Sequence, residues 1–345
     1  MGRNKKYPEK MQSQADNVPQ MLSVFDLGQP QEIFGVGELL TCMECARNGR
    51  WYETPLSFYG LGKQFTSAVH HQSPLFFKRN VIMSCYKPHP LLSHEQMARY
   101  VMDYLVFGNA YLQKCTNRLG GIMSLRVSPA IHTRRGVDTE QYWYAEHHLQ
   151  EMAYPKGHVF HLMNPDIHQE IYGLPEYLAG LVSAGLNRAA TLFRMYYYEN
   201  GQHGGQIVYF TDARTPQTAI DKLKEDFARL KGPGAFKNIA IWAPDGKPDG
   251  IKVVPFSQVS AKDEFINIKD ATRDDLLAVH RVPPVLMGII PEGNSNLGDV
   301  EKAAEVFAIN ELLPVMQSLS AINQWLGEEV VRFTDYTLVE RLKQG

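Results

Sequence analysis

Cysteine is scarce in this chain: there are four in 345 residues, at Cys42, Cys45, Cys85 and Cys115. Cys42 and Cys45 stand two residues apart, but no second pair follows at zinc-finger spacing. All four are therefore expected as reduced, largely buried thiols rather than as a disulfide framework or a metal cage. Long hydrophobic runs are also missing. No window of about eighteen apolar residues occurs, so no membrane span is expected. The opening Met1-Gly2-Arg3-Asn4-Lys5-Lys6 lacks the apolar core of a secretory signal, which points to a soluble, intracellular product. Neither sign of charge is in excess: 35 Lys and Arg against 37 Asp and Glu leave a net charge of −2. A protein that grips duplex DNA through many phosphates presents a basic face, so tight DNA binding is not expected.

Catalytic signatures are missing as well. Gly293-Asn294-Ser295-Asn296-Leu297-Gly298 has the glycine spacing of a phosphate loop. It runs on into Asp299-Val300, where a lysine and a hydroxyl would have to reach the phosphates and Mg²⁺. Gly60-Leu61-Gly62-Lys63 is too short to form such a loop. No Gly-x-Ser-x-Gly elbow and no His-Glu-x-x-His helix occurs. Histidines gather at His147, His148, His158, His161 and His168, near Asp166. A spacing of three on a strand sends His158 and His161 to opposite faces, so they read as structural or surface groups. The carboxylate pairs Asp274-Asp275 and Glu328-Glu329 read as solvated helix faces. Neither a catalytic centre nor a cofactor is expected.

What is present is 44% hydrophobic and 21% charged, the balance of a globular chain, with length for two or three cooperating units. Residues 1–30 have no periodicity and read as a flexible arm. Ser93-His94-Glu95-Gln96 has the form of a capping box, opening a helix that carries Met97, Tyr100, Val101, Tyr104 and Leu105 inward and ends at Gly108-Asn109. Short strands follow: Ala110–Cys115 and Ile122–Val127 around a turn at Leu119-Gly120-Gly121, then Gln141–Tyr144 and His158–His161. Pro175 suits the first turn of a helix running to Asn200-Gly201. Residues 201–262 read as a small strand–helix–strand–strand unit. Its helix opens at Thr215-Pro216, and its other strands are Gln206–Phe210, Asn238–Trp242 and Ile251–Phe256.

The most telling stretch lies near the C-terminus. A charged helix from Asp263 to Arg281 stops at Val282-Pro283-Pro284, because a residue before proline avoids the helical region and proline has no N–H. A Gly/Asn-rich loop leads to a second helix, 299–326, whose apolar stripe is Val300, Ala304, Ala308, Leu312, Val315, Leu319, Ile322 and Leu326. Pro314 inside it predicts a kink. Asp263-Glu264-Phe265, the run from Asp274 to Gly288 and Glu311-Leu312-Leu313-Pro314 resemble the portal proteins of tailed bacteriophages, especially the short portals of P2-like phages. Gly108-Asn109-Ala110-Tyr111, Ile171-Tyr172-Gly173-Leu174-Pro175, Tyr198-Glu199-Asn200-Gly201 and Phe236-Lys237-Asn238 extend the resemblance over nearly the whole chain.

That resemblance implies an α+β portal fold assembled as a ring of about twelve subunits. It assigns 31–168 to the wing, 169–200 to a first stem helix and 201–262 to the clip. A second stem helix would span 263–284, a tunnel loop 285–298, and the long kinked helix with a C-terminal wing or crown-side segment 299–345. The small residues Ala179, Gly180, Ser183, Ala184, Gly185, Ala189 and Ala190 would pack between neighbouring subunits. Arg194-Met195-Tyr196-Tyr197-Tyr198 could stack on bases, but packing at a helix end is the simpler reading. Site residues follow in the same way: Gly293, Asn294, Ser295, Asn296, Leu297 and Gly298 facing DNA, Lys269, Arg273 and Asp274 on the stem, and Lys222, Lys224, Arg229 and Lys247 as clip contacts. The implied partners are further copies of the chain, the terminase large subunit, scaffold, the major capsid protein, head-completion and neck proteins, and double-stranded DNA in the channel. The implied place is the portal vertex of a virion, after assembly in the host cytoplasm. A near-neutral charge suits a channel along which DNA must slide. The competing readings are a DNA-processing enzyme of unfamiliar type and a monomeric head-completion adaptor.

Overall fold

The computed structural model describes residues 45–146, 151–168, 170–199, 206–210, 239–242, 251–255, 261–289 and 300–336. The chain divides into two compact units. One holds Phe193–Glu264 together with Met1–Gln29; the other holds Pro30–Leu192 and Phe265–Gly345.

The first unit contains β8 (Gln206–Phe210), β9 (Ile239–Trp242) and β10 (Ile251–Pro255) in the order β10-β8-β9. β8 runs antiparallel to β10 and parallel to β9. A parallel neighbour needs a crossover connection, which the interval 211–238 has the length to supply. The three strands match those read from the sequence. The expected helix from Thr215 and the expected clip contacts Lys222, Lys224, Arg229 and Lys247 lie outside the described residues.

In the second unit, α1 (Phe58–Phe65), α2 (Val69–Cys85) and α3 (His94–Phe107) precede β2 (Asn109–Thr116) and β3 (Ile122–Ser128). The Ser57 Oγ caps α1 by accepting from the Gly60 N–H at 3.1 Å. Half of the predicted capping box forms at α3: the Ser93 Oγ accepts from the Gln96 N–H, but the Gln96 side chain accepts from the Val127 N–H at 2.8 Å instead of reaching back. β2 is central to an antiparallel sheet, β3-β2-β7, with β7 at Val159–Met163. The β2–β3 turn is closed by Asn117, whose Oδ1 accepts from the Leu119 and Gly121 N–H groups. A smaller sheet joins β4 (Thr133–Arg135), β5 (Tyr142–Tyr144) and β6 (Met152–Ala153). The main core packs Ile82, Met97, Tyr100, Val101 and Leu112 against Phe307, Leu312, Leu319 and Ile322 of the C-terminal helices. β1 (Tyr86–Lys87) pairs with β11 (Arg332–Phe333) beside it.

Two of the resembling motifs meet in space. The Gly108 backbone, in the left-handed region at φ 65°, lies so close to the Leu174 backbone that a Cβ would sit 2.4 Å from the Leu174 carbonyl carbon. Between them Asn109 is fully buried. Its Nδ2 donates to the carbonyls of Phe107 and Gly173, and its Oδ1 accepts from the Gly173 N–H and from His161 Nε2. Every donor and acceptor of the amide is used.

This junction corrects the reading of Pro175 as a helix start. Residues 173–175 form no helical turn, with the Leu174 N–H donating to the Asn164 carbonyl and Asn164 Nδ2 donating to the Leu174 carbonyl. A 3₁₀ turn at Leu178–Gly180 then leads into α4 at Leu181–Glu199.

The long C-terminal helix also differs from expectation. It is α6 (Val300–Phe307), a π turn (Ala308–Leu312), α7 (Leu313–Leu319) and α8 (Ala321–Leu326). The Leu313 N–H reaches back five residues to Ala308, which widens the turn just before Pro314, where the ring would meet the Asn310 carbonyl. A second break at Ser320 was not foreseen. Its Oγ donates to the Met316 carbonyl, and its N–H is shared between the Met316 and Gln317 carbonyls.

Replacing Asn109 with Ala strands the Gly173 N–H and carbonyl inside the core. Urea unfolding of the purified variant is expected to show a loss of about 3 kcal/mol at unchanged m-value.

Candidate functional site

Two helices lie side by side: α4 and α5, the latter spanning Ala261–Val279. Their contacts run antiparallel. Gly180 faces Val279 so closely that a Cβ would lie 2.6 Å from its Cγ1. Ser183 Oγ donates to Asp275 at 2.9 Å, and Asn187 Nδ2 donates to Thr272 Oγ1 at 2.8 Å with both groups buried. Ala184 and Leu276 close the seam with Ala68. The small residues thus divide: Gly180, Ser183 and Ala184 pack within the chain, against α5, whereas Ala179, Gly185 and Ala189 face outward or open space. Leu186 and Ala189 are exposed together with Val182 and Leu192. Low side-chain bulk lets a helix approach any neighbour closely, so sequence alone did not say which neighbour.

Lys269, Arg273 and Asp274 come together on α5. Arg273 Nη1 donates to Asp270 at 3.0 Å, and its Nε donates to Asp274 at 2.9 Å. His70, which the sequence reading passed over, joins them: partial burial, then Arg273 and Lys269, press its imidazole below the usual range, while Asp274 acts in the opposite sense. The expected tunnel loop, including Gly293, Asn294, Ser295, Asn296, Leu297 and Gly298, lies outside the described residues.

α5 ends as a Schellman motif. The Val282 N–H donates to the Leu277 carbonyl, the Arg281 N–H donates to Ala278, and Arg281 sits in the left-handed region at φ 53°. Its guanidinium meets two carboxylates, Glu176 and Glu311, with Nε donating to Glu311 at 2.8 Å. Glu311, in the π turn, also accepts from Lys78 Nζ at 3.1 Å. Both members of that second pair are largely buried. Burial lowers the Lys78 ammonium from its ordinary value, and Glu311 opposes that shift. Nothing in the sequence marked Lys78 or Glu311 as partners, because 233 residues separate them.

Beside this cluster His71 Nδ1 and His280 Nε2 lie 3.0 Å apart, flanked by Tyr177. Burial pushes His71 down to about 4 and, helped by His71 and Lys78, His280 down to about 3. Among the described residues no three His, Cys, Asp or Glu side chains gather as metal ligands, and no helix is long and apolar enough to cross a membrane.

The histidine pair fixes a pH dependence. Both groups are held uncharged below their ordinary pKa of 6.5, so the unfolded chain binds more protons as acid is added. Their stabilisation is intact above about 6.5 and is lost as pH falls toward about 4 and then about 3, at up to about 1.4 kcal/mol per pH unit for each histidine. Denaturant midpoints measured between pH 7 and 4 are expected to fall accordingly, with the slope reduced in a His71→Gln/His280→Gln double variant.

Comparison with known proteins matches this arrangement to one group. The family model described as "Phage portal protein" fits residues 85–342. A "Probable portal protein" of Escherichia phage P2 is 49% identical over 317 residues, covering 92% of each chain. One from Haemophilus phage HP1 (strain HP1c1) is 31% identical over 283 residues, 80% of this chain and 82% of that one. The fold is shared with a chain from the neck of a native gene transfer agent particle computed with C12 symmetry: TM-score 0.61, 15% identity, 90% of this chain and 92% of that one. It is shared as well with an HK97 family phage portal protein from Corynebacterium diphtheriae: TM-score 0.52, 12% identity, 79% of this chain and 94% of that one. With a family model matching well over half of the sequence and the phage P2 relative nearly all of it, the chain belongs to the phage portal protein family.

Proposed function

We propose that this chain is the repeating subunit of a portal vertex, in which about twelve copies close into a ring around a hole that passes one DNA duplex. The 49% identity to the phage P2 protein over 92% of both chains carries the reading. The surface supports it. Val182 and Leu186 on α4 are 62% and 50% exposed, and Val306, Ile309 and Leu313 on the long helix are 57%, 62% and 46% exposed. Apolar faces of this kind call for cover, and a head-to-tail ring supplies it from the next subunit.

The chemistry is that of a conduit. On α5 Arg273 is answered by Asp270 and Asp274 next to it, so its guanidinium offers DNA little unpaired charge to hold. The loop 291–298 is assigned to the narrowest point, where Asn294, Ser295 and Asn296 make weak polar contacts. The unit 201–262 is assigned to docking, first with the terminase large subunit and later with head-completion and neck proteins, with Lys222, Lys224, Arg229 and Lys247 as contacts. Scaffold and the major capsid protein are the assembly partners. The packaging energy comes from the terminase, and this chain performs no catalysis.

Native mass of the purified protein with negative-stain images of the same fraction is expected to show rings of about twelve subunits with a central hole. A folded, stable monomer without nuclease or ATPase activity would favour the adaptor instead, and one with either activity the enzyme. Deleting 291–298 is expected to leave rings intact while reducing the fraction of heads that retain a full genome, scored by DNA content of purified particles.

A further inference from the structure

We propose that Arg281 is a positioning residue, whose guanidinium, through Glu311, ties the end of α5 to the π turn of the long C-terminal helix so that the two move as one body. Arg281 is the one non-glycine residue with positive φ among those described. The C′ position of a Schellman motif is one that glycine fills without strain, whereas a side chain there crowds its own backbone. At Arg281 the strain is offset by what the side chain holds. The guanidinium forks between Glu176, which precedes the 3₁₀ turn into α4, and Glu311. The Glu311 carboxylate in turn anchors Lys78 of α2. Three parts of the unit therefore converge on the Glu311 carboxylate, the end of α5, α2 and the π turn, and Glu176 joins the approach to α4 to them through Arg281.

The place of that carboxylate matters. The π turn departs from the regular ladder, and Pro314 just beyond it has no N–H to give. A helix bends most readily where its own hydrogen bonds are sparse. Pinning this turn to α5 joins the weakest point of the long helix to a well-ordered end. The chain between them is already drawn in: the 3₁₀ turn Pro284–Met287 sends Leu286 and Met287 against the core that holds Phe307 and Leu312. In the ring, a displacement of α5 would then be passed to the long helix rather than absorbed between them. This consequence rests on the portal reading; the clamp itself does not.

The experiment uses full-length protein and complementation of a phage lacking the gene. Arg281→Gly relieves the strain and removes both ion pairs, so a residue that merely ended the helix would leave amide exchange unchanged or slower. A positioning role predicts roughly tenfold faster exchange at the amides of Leu286, Gly288 and Leu313, with the thermal midpoint held. It also predicts a drop of about tenfold in DNA-filled heads. Arg281→Lys, which keeps the charge without the fork, is expected to fall between the two. Glu176→Gln, which leaves the backbone and the Glu311–Lys78 pair untouched, should show a smaller rise in exchange at the same amides. Unchanged exchange in Arg281→Gly overturns the clamp. Faster exchange with normally filled heads overturns its role in packaging. Heads that fill without the gene at all overturn the portal reading instead.

Discussion

The second unit depends on two backbones that touch. Gly108 and Gly173 approach so closely that a Cβ on Gly173 would lie 2.2 Å from the Gly108 carbonyl oxygen. No other residue type fits without moving main chain, and the gap left beside them is filled by one amide, that of Asn109. From this point α3 stops, the central strand β2 begins, and residues 173–175 are tied to Asn164 on their way to α4. Neither helix end can drift without breaking hydrogen bonds that have no water to replace them.

Much of this was legible. Gly108-Asn109 announced the end of α3, Leu119-Gly120-Gly121 announced the hairpin turn, and Val282-Pro283-Pro284 closed α5, because backbone sterics at glycine and proline act locally. The order of these signals also carried the resemblance to portal proteins. What was not legible was set by distant chain. Pro175 has the form of a helix start, but bonds to Asn164 claim its neighbours. Ser320 looks like an ordinary helix residue until its hydroxyl bends the turn. Lys78 and Glu311, or His71 and His280, are unremarkable apart and become a site only when the fold brings them together.

The α4–α5 seam illustrates how polar groups can set position rather than affinity. The Asn187–Thr272 bond lies in an otherwise apolar seam, where a sliding of either helix would leave both groups buried and unpaired. Outside the seam, Arg273 is occupied by aspartates on its own helix. Ions paired along one helix keep the surface hydrated without projecting a strong field, which reconciles a net charge of −2 with a protein that works around DNA.

The ribbon of β1 and β11 has a consequence for biosynthesis. Tyr86 pairs with Phe333 and Lys87 with Arg332, so the ladder cannot form until Phe333 has left the ribosome, well over two hundred residues after Tyr86. The same holds for the core in which Ile82 and Met97 wait for Leu319 and Ile322. Contacts of such sequence separation form late and slowly. A nascent subunit is thereby kept incomplete, and unable to present the finished faces of its long helix, until β11 has been made. Folding order would then separate making the subunit from joining it to others, without a dedicated inhibitor.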